Sequence, residues 1–308
     1  MKNIKNLFLG LFVVSLASCL KADDMNIDVK YKTNVIEIAN TGNNLTNTGV
    51  PGFYSDLGVV AAGGTKTFNI NVNYTGPGSA PEDITVTLSS DAATLSAYNI
   101  ENGVSKVVPP SSVFSFPTSV VIKKGTNLTT VEAKITVSSD FNFSAAYGLP
   151  IKISQVSTGV ISGNFGKAVY SFGVRNKYDG VYKLKGYHTR VPYNYPYSNI
   201  TMEMRTLGAN SVGFYWPTAG GFGHPIGVGP GRVSWYGGAV SPVVVFDVAT
   251  NLVTDVYNQS NAVPISIYTG PGSGQGRQAA DKTMYLYWRY SANNARGFLD
   301  TLTYVGPR

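Results

Sequence analysis

Apolar and polar side chains alternate with a period of two along most of this chain, and no other feature constrains the fold as strongly. In the segment 65–74, Phe68, Ile70 and Val72 alternate with polar residues, as in a strand that buries one face. The same pattern recurs, between turns rich in Gly, Pro, Asn and Ser, in the segments 83–90, 119–125, 129–139, 148–157 and 168–174. The first half of the chain therefore predicts an antiparallel β-sandwich.

One segment of the first half breaks this period and predicts a short helix between two strands. Within 89–103, Asp91 can cap the helix, helix-forming residues follow it, and Gly103 can end it. Residues 25–63 are rich in Asn, Thr and Gly, and we expect the first strand there, behind a flexible tether.

The composition changes near residues 174–182, which predicts a second domain. All three tryptophans, both histidines and 14 of the 20 tyrosines lie beyond Asn176. Strands are predicted over 180–188, 199–207, 211–217, 232–238, 241–250, 262–270 and 282–291. The fold class is thus all-β, with an antiparallel β-sandwich or a small β-barrel after the first sandwich. The Gly-rich segments 218–232 and 269–277 lack the Gly-Lys-Ser/Thr ending of a phosphate loop.

The N-terminus has the order of a secretory signal. Two lysines precede an apolar run from Leu7 to Leu16, which is too short to span a bilayer. The residues Leu16-Ala17-Ser18-Cys19 match the lipobox of bacterial lipoproteins, so we expect cleavage after residue 18 and lipidation of Cys19. Since Cys19 is the only cysteine, no internal disulfide can form.

Charge and hydropathy argue against a nucleic-acid partner and against a membrane-spanning helix after the signal. The net charge of +7 becomes +5 without the two signal-peptide lysines, and the basic residues are scattered rather than clustered. This distribution argues against a nucleic-acid partner. No later apolar run reaches the length of a spanning helix.

The first domain resembles the domain of unknown function 1735, found in surface lipoproteins of Bacteroidota. The resemblance lies in PEDITVTLSSDAATLSAYNIENG (81–103), FSFPTSVVIKKGTNLTTVEAKITV (114–137) and GLPIKISQVSTG (148–159). Family members carry a helix of the form L-x-x-Y-N-x-x-N-G, which residues 95–103 fill, and a strand of the form Y-x-L-P-x-x-I, which residues 147–153 fill approximately.

This resemblance implies an immunoglobulin-like sandwich that serves as a spacer before a variable C-terminal domain. In relatives that second domain is a glycoside hydrolase, a carbohydrate-binding domain or an uncharacterised β-domain. The predicted organisation is a signal peptide (1–18), a lipid-anchored tether with the first strand (19–63), an immunoglobulin-like module (64–176) and an aromatic-rich β domain (177–308).

Catalytic and metal-binding patterns are missing from the sequence of the second half. A glycosidase needs two carboxyl groups beside the scissile bond, but the six acidic residues there form no D-x-x-D-x-D-x-E run, and Asp179 and Asp300 look like turn or edge residues. His188 and His224 have no second ligand nearby in the sequence. We therefore expect a protein that is not an enzyme and that needs no cofactor or metal.

The aromatic residues supply the candidate binding site. Sugars present apolar C–H faces, so their sites combine exposed aromatic rings with polar side chains. The segment 187–199 is rich in proline, which favours a loop with its tyrosines facing solvent. The glycan-binding candidates are His188, Arg190, Tyr193, Tyr195, Tyr197, Trp235 and Tyr236.

The other two tryptophans are predicted to lie in the core. Trp216 shares a strand face with Val212 and Phe214, and Trp288 shares one with Met284 and Leu286. The aromatic density of the whole half also fits the interior of a barrel or a buried sheet face, and this alternative stays open.

The predicted function is non-catalytic binding of a polysaccharide or oligosaccharide at the outer membrane, as part of an uptake system with a transporter. The alternatives are a structural or adhesive lipoprotein that binds proteins, and, third, a glycoside hydrolase. The acidic LKADD segment after residue 19 resembles a signal for display on the outer face, although an ordinary polar tether would look the same.

Overall fold

A computed structural model describes residues 34–39 and 49–308. The predicted signal peptide and Cys19 lie outside the described residues. In the described part, no helix has both the length and the apolar character needed to cross a membrane.

The described part of the first half contains ten strands and one α-helix. They are β1 (Val35–Ile38), β2 (Gly52–Val59), β3 (Thr65–Thr75), β4 (Ile84–Ser90), α1 (Ala92–Asn102), β5 (Phe114–Ser115), β6 (Ser119–Ile122), β7 (Leu128–Thr136), β8 (Leu149–Val156), β9 (Val160–Ile161) and β10 (Lys167–Arg175). The predicted strands from 65 to 174 are all present, with ends shifted by a few residues.

These strands form two five-stranded sheets, ordered β5-β7-β3-β1-β9 and β2-β10-β8-β4-β6. Phe68, Ile70 and Val72 of β3 all face the core between the sheets, as the alternation predicts. The pairs β1/β9 and β2/β10 are parallel, unlike the others. The described residues of 25–63 form two strands, where one was predicted. Strand β2 was missed because it contains Gly, Ser and Asp and does not show the alternation of a half-buried strand.

Helix α1 begins and ends where the sequence predicts. Asp91 precedes it, and the Asp91 carboxylate accepts a hydrogen bond of 2.6 Å from the Thr94 hydroxyl. Gly103 ends it in the left-handed conformation, with φ of 61°. Leu95 and Tyr98 pack with Val169 in a small apolar cluster apart from the core between the sheets.

The second half consists of twelve strands. They are β11 (Gly180–His188), β12 (Tyr197–Thr206), β13 (Ser211–Trp216), β14 (Gly221–Phe222), β15 (Pro225–Gly229), β16 (Arg232–Trp235), β17 (Pro242–Phe246), β18 (Val253–Asn258), β19 (Ile265–Ile267), β20 (Arg277–Gln278), β21 (Met284–Tyr290) and β22 (Gly297–Gly306). Strands β14, β15, β18, β20 and β22 were not predicted.

The main sheet of this half closes into an antiparallel barrel. Its order is β18-β17-β13-β12-β11-β22-β21-β19, and β20 also pairs with β21. The Val253 amide donates to the Gly276 carbonyl at 2.8 Å, and the Gln278 amide donates to the Asn251 carbonyl at 2.9 Å. These bonds join the β18 edge to β20. The all-β prediction is confirmed, and of the two architectures left open for this half the structure shows the barrel.

Side chains fill the interior of the barrel. The inward positions of β21 are Met284, Leu286, Trp288 and Tyr290, and each is buried. A barrel of about eight strands has an interior just wide enough for such packing. Trp288 is fully buried and Trp216 is 6% exposed, so the prediction that both belong to the core is confirmed.

A segment inserted between the paired strands β13 and β17 enters this interior. We call residues 223–227 the plug. His224 of the plug is 1% exposed. Its ring centroid lies 5.0 Å from that of Phe214, 5.1 Å from that of Trp288 and 4.9 Å from that of Phe298, on three different strands.

Polar contacts connect the two halves. Arg175, at the end of β10, pairs with Asp56 at 2.6 Å and also donates to the Arg308 carbonyl. The Ser144 hydroxyl donates to the Leu207 carbonyl at 3.3 Å. The two hydrophobic cores share no residue.

Candidate functional site

The predicted site residues separate into four places. Arg190, Tyr193 and Tyr236 form a cluster at one end of the barrel, with His188 buried beneath it. Tyr195 lies beside the plug, and Tyr197 is inside the barrel. Trp235 lines a depression of its own. The sequence therefore identified residues from one region of the barrel, but they do not form one contiguous surface.

Arg190 organises the first of these places, together with tyrosines from other segments. Its guanidinium donates to the Tyr290 hydroxyl at 2.9 Å and to the Tyr236 hydroxyl at 3.3 Å. The same group lies 5.4 Å from the centroid of the Tyr193 ring, within cation–π range. Burial raises the pKa of Tyr236, so its phenol remains protonated. The donor groups of Arg190 are thus partly engaged within the protein.

His188 is buried and not available to a ligand in solution. Its Nδ1 donates to the Gly297 carbonyl at 2.8 Å, and its ring stacks on Phe298 with centroids 4.1 Å apart. Burial lowers the pKa of His188 to about 4, so the ring is neutral at pH 7. The candidate role of His188 as a surface hydrogen-bonding residue is therefore wrong. The period of two in β11 already places it on the face of Tyr182 and Leu184.

Tyr197 is also buried, contrary to the expectation that the tyrosines of 187–199 face solvent. It is 3% exposed and begins β12 with its side chain inside the barrel. The proline-rich part of the segment is a loop, but the loop ends at residue 196, just before Tyr197. Tyr195 is 39% exposed, and its backbone bridges Gly227 of the plug. A Cβ atom at position 227 would overlap the Tyr195 carbonyl oxygen, so this contact requires glycine.

Asp300 contacts polar groups from several segments inside the barrel, a role that no pattern in the sequence indicates. It lies in the middle of β22 and is 2% exposed, so its interpretation as a turn or edge residue is wrong. Its carboxylate accepts a hydrogen bond of 2.7 Å from the Tyr197 hydroxyl and one of 2.8 Å from the Trp288 indole. His224 Nε2 lies 3.2 Å from the same carboxylate.

His224 of the plug makes a short polar contact at each ring nitrogen. Nδ1 of His224 donates to the Pro225 carbonyl oxygen at 2.7 Å. Nε2 faces the Asp300 carboxylate, and both side chains are fully buried. The His224–Asp300 contact thus helps to hold the plug inside the barrel. Aromatic rings enclose it on several sides, which is the setting of a structural network rather than a substrate site.

Trp235 lines an open depression of about 450 Å³ on the barrel surface. The depression is bounded by Gly221, Phe222, Trp235, Gly238, Ser241, Gln259 and Ser260. Trp235 is half-buried, and its ring meets Trp216 edge-on with centroids 6.0 Å apart. A Cβ atom at Gly223 would lie 2.7 Å from the Trp235 ring, so the glycine lets the backbone support the ring.

Polar groups at the edge of this depression differ in their availability. The Ser241 hydroxyl donates to the Gly238 carbonyl at 2.8 Å and also lies 3.1 Å from the Phe222 carbonyl oxygen, and the Ser260 hydroxyl donates to the Ala239 carbonyl. The side-chain amide of Gln259 is exposed and has no hydrogen-bond partner among residues 34–39 and 49–308. The depression thus offers an aromatic surface beside a free donor and acceptor. Phe222 and Gln259 carried no signal in the sequence, since they are close to Trp235 only in the fold.

No cluster of three or more metal-ligating side chains occurs in the described part of the chain.

Comparisons with known proteins place the fold among Bacteroides structures. A family model described as an N-terminal domain matches residues 52–160. A search of curated proteins gives no match. A structure of unknown function from Bacteroides ovatus is similar over 90% of this chain and 96% of its own, with 13% identity and a TM-score of 0.59. At this identity the similarity concerns the fold alone.

Two more distant structures carry descriptions. A multidomain protein from Bacteroides ovatus that includes the domain of unknown function 1735 is 13% identical, covers 88% of this chain and 92% of its own, and has a TM-score of 0.47. An auxiliary nutrient binding protein from Bacteroides thetaiotaomicron is 13% identical, with a TM-score of 0.45, and the match covers 86% of this chain and 92% of that protein. No conclusion about binding follows from likenesses this distant. Membership of this chain in the family of the domain 1735 stays a prediction.

Proposed function

We propose that the protein binds glycan without cleaving it, and that the sugar lies against Trp235 in the depression on the barrel. The observation that carries this proposal is the half-exposed Trp235 ring beside the unpartnered Gln259 amide. The apolar face of a pyranose can stack on the indole while the amide bonds a hydroxyl group. The depression is open, which suits a segment of a longer chain better than an enclosed small molecule.

Replacing Trp235 with Ala should lower glycan affinity by roughly tenfold or more, equivalent to about 1.4 kcal/mol, because the stacking surface is lost. Gln259→Ala should lower it less, since one hydrogen bond is lost at an exposed position. Calorimetry and affinity electrophoresis with a broad polysaccharide panel measure both changes.

Tyr187→Ala is the matched control for these variants. Tyr187 is 40% exposed on β11, outside the depression, and its loss should leave binding unchanged. The proposal fails if no polysaccharide of the panel binds, or if Trp235→Ala binds as tightly as the unmodified protein. Stable co-purification with a surface protein instead would favour the adhesive alternative.

The proposal includes a location at the outer membrane, anchored through Cys19 and displayed outward beside a transporter of the uptake system. It rests on the lipobox and the acidic residues after it. Protease added to intact cells should digest the protein, and Cys19→Ala should abolish its labelling by a palmitate analogue and its membrane attachment. Retention of the full protein after protease treatment would contradict outward display, and an unchanged membrane fraction of Cys19→Ala would contradict the anchor.

A further inference from the structure

A second cavity, of about 280 Å³, lies at one end of the first sandwich. The end of β10, from Ser171 to Val174, forms one wall. The loop of residues 141–147 and Lys106, which follows α1, form others. Its volume is below the roughly 300–1,000 Å³ of sites for drug-sized ligands, and thus fits a single ring.

Aromatic side chains make up much of the cavity wall. They are Tyr54, Phe141, Phe143, Tyr147 and Phe172. Phe141 meets Phe143 edge-on at 4.8 Å and Tyr147 edge-on at 5.4 Å. The Asn142 amide donates to the Tyr147 hydroxyl at 2.9 Å. The loop is therefore held by its own contacts, so the cavity is formed before any ligand arrives.

Lys106 is the only charged side chain in this wall, since no aspartate or glutamate lines the cavity. Both backbone polar groups of Lys106 bond to the Asn99 side chain, at 2.8 and 3.1 Å, which fixes the residue. Within the described ranges, no carboxylate pairs with its amine. Burial lowers the pKa of Lys106 because the ammonium form loses hydration. An anion bound beside it would offset that cost.

Ser171 is a second unsatisfied polar group in the same wall. It is 4% exposed, and its hydroxyl has no hydrogen-bond partner among the described residues. It pairs in register with Tyr54, whose ring is 46% exposed. A buried hydroxyl without a partner is uncommon in folded proteins and calls for an explanation. A ligand with hydroxyl groups would provide one.

We propose that this cavity binds a hexuronic acid, with its carboxylate at the Lys106 amine and its ring among the aromatic side chains. The unpaired cation favours an anion, the aromatic wall and the volume favour a single ring, and the unpartnered Ser171 hydroxyl favours a ring that carries hydroxyl groups. Neutral hexoses lack the group that Lys106 would bind. The site is separate from the Trp235 depression and does not depend on it.

The test uses D-glucuronate and D-galacturonate as probes, with D-glucose and D-galactose as neutral counterparts, in chemical-shift titrations of the full protein. We expect saturable binding of at least one uronate and at least tenfold weaker binding of its neutral counterpart. Lys106→Met should weaken uronate binding at least tenfold, and added NaCl should weaken it progressively. Lys134→Met, at an exposed position on the other sheet, should leave it unchanged.

Trp235→Ala separates this site from the proposed glycan site. Uronate binding should persist in Trp235→Ala, even if that variant no longer binds polysaccharide. The proposal is overturned if neither uronate binds, if the neutral sugar binds equally well, or if a folded Lys106→Met or Lys106→Gln variant binds uronate as the unmodified protein does. The proposal is also overturned if the Trp235→Ala substitution by itself abolishes uronate binding.

Discussion

Replacing Asp300 with Ala should lower the free energy of unfolding of the barrel by about 3–5 kcal/mol, because the change leaves two buried donors without an acceptor and removes one partner of a buried His–carboxylate contact. The Tyr197 hydroxyl and the Trp288 indole would both lose their acceptor in the barrel interior. His224 would lose the carboxylate that lies 3.2 Å from its Nε2, and the plug would lose this buried contact.

Tryptophan fluorescence during urea unfolding measures this effect on the barrel alone, since all three tryptophans lie in the second half. Asp300→Asn should cost less than Asp300→Ala, because an amide oxygen can still accept a hydrogen bond. Asp255 is exposed on β18, so Asp255→Ala should change the stability by no more than about 0.5 kcal/mol. A loss below about 1 kcal/mol for Asp300→Ala would show that the network contributes little.

The period of two predicts most strands of this protein because each buries only one face. Strand β11 has the bounds 180–188 that the sequence indicates. In β21, Trp288 and Leu286 face inward, while Tyr285 and Tyr287 are only partly buried. Helix α1 was equally predictable, because Asp91 suits the position before the first turn and Gly103 suits the left-handed position after the last turn.

Strands that carry polar residues at inward positions could not be predicted in this way. In β22, the inward positions include Asp300 between Phe298 and Leu302, and a charged residue there obscures the apolar alternation. The carboxylate is tolerated only because Tyr197, Trp288 and His224 reach it from three other segments. None of these partners is near it in the sequence.

The candidate site was predictable in composition but not in arrangement. Trp235 and Tyr236 are adjacent in the sequence, yet one lines the open depression and the other contacts Arg190. Tyr193 and Tyr197 lie four residues apart, and the start of β12 between them sends the second into the barrel. Strand pairing decides which aromatic side chains are exposed to solvent, and the pairing cannot be deduced from the sequence pattern alone.

Strand pairing also creates a stack of three rings inside the barrel. His188 of β11, Phe298 of β22 and Trp288 of β21 are direct cross-strand neighbours. Their rings stack in that order, with centroids 4.1 and 3.9 Å apart. A protonated His188 imidazole at the end of this stack would be a buried cation, and burial opposes its formation. Arg190 and His224 nearby oppose it further. The Gly297 carbonyl and Asp300 favour the protonated form, but less strongly than burial opposes it.

The barrel should therefore lose about 3 kcal/mol of stability through His188 as the pH falls from about 6.5 to about 4. Burial lowers the pKa of His188 from 6.5 to about 4 in the folded protein. Between these values the unfolded chain binds a proton that the folded chain does not, so acid favours unfolding. Above pH 6.5 both forms are neutral, and the contribution of His188 no longer changes with pH.

His188→Phe isolates this contribution, because phenylalanine can keep the stack on Phe298. The Gly297 carbonyl also accepts a hydrogen bond from the Thr189 amide at 2.8 Å, so it keeps a donor. Urea unfolding followed by tryptophan fluorescence at several pH values should give a shallower acid decline for the variant than for the unmodified protein. The other ionisable groups are the same in both proteins, so the difference between the two curves isolates His188. Parallel curves from pH 7 to pH 4 would mean that His188 becomes protonated within the folded barrel, and that the stack accommodates a cation.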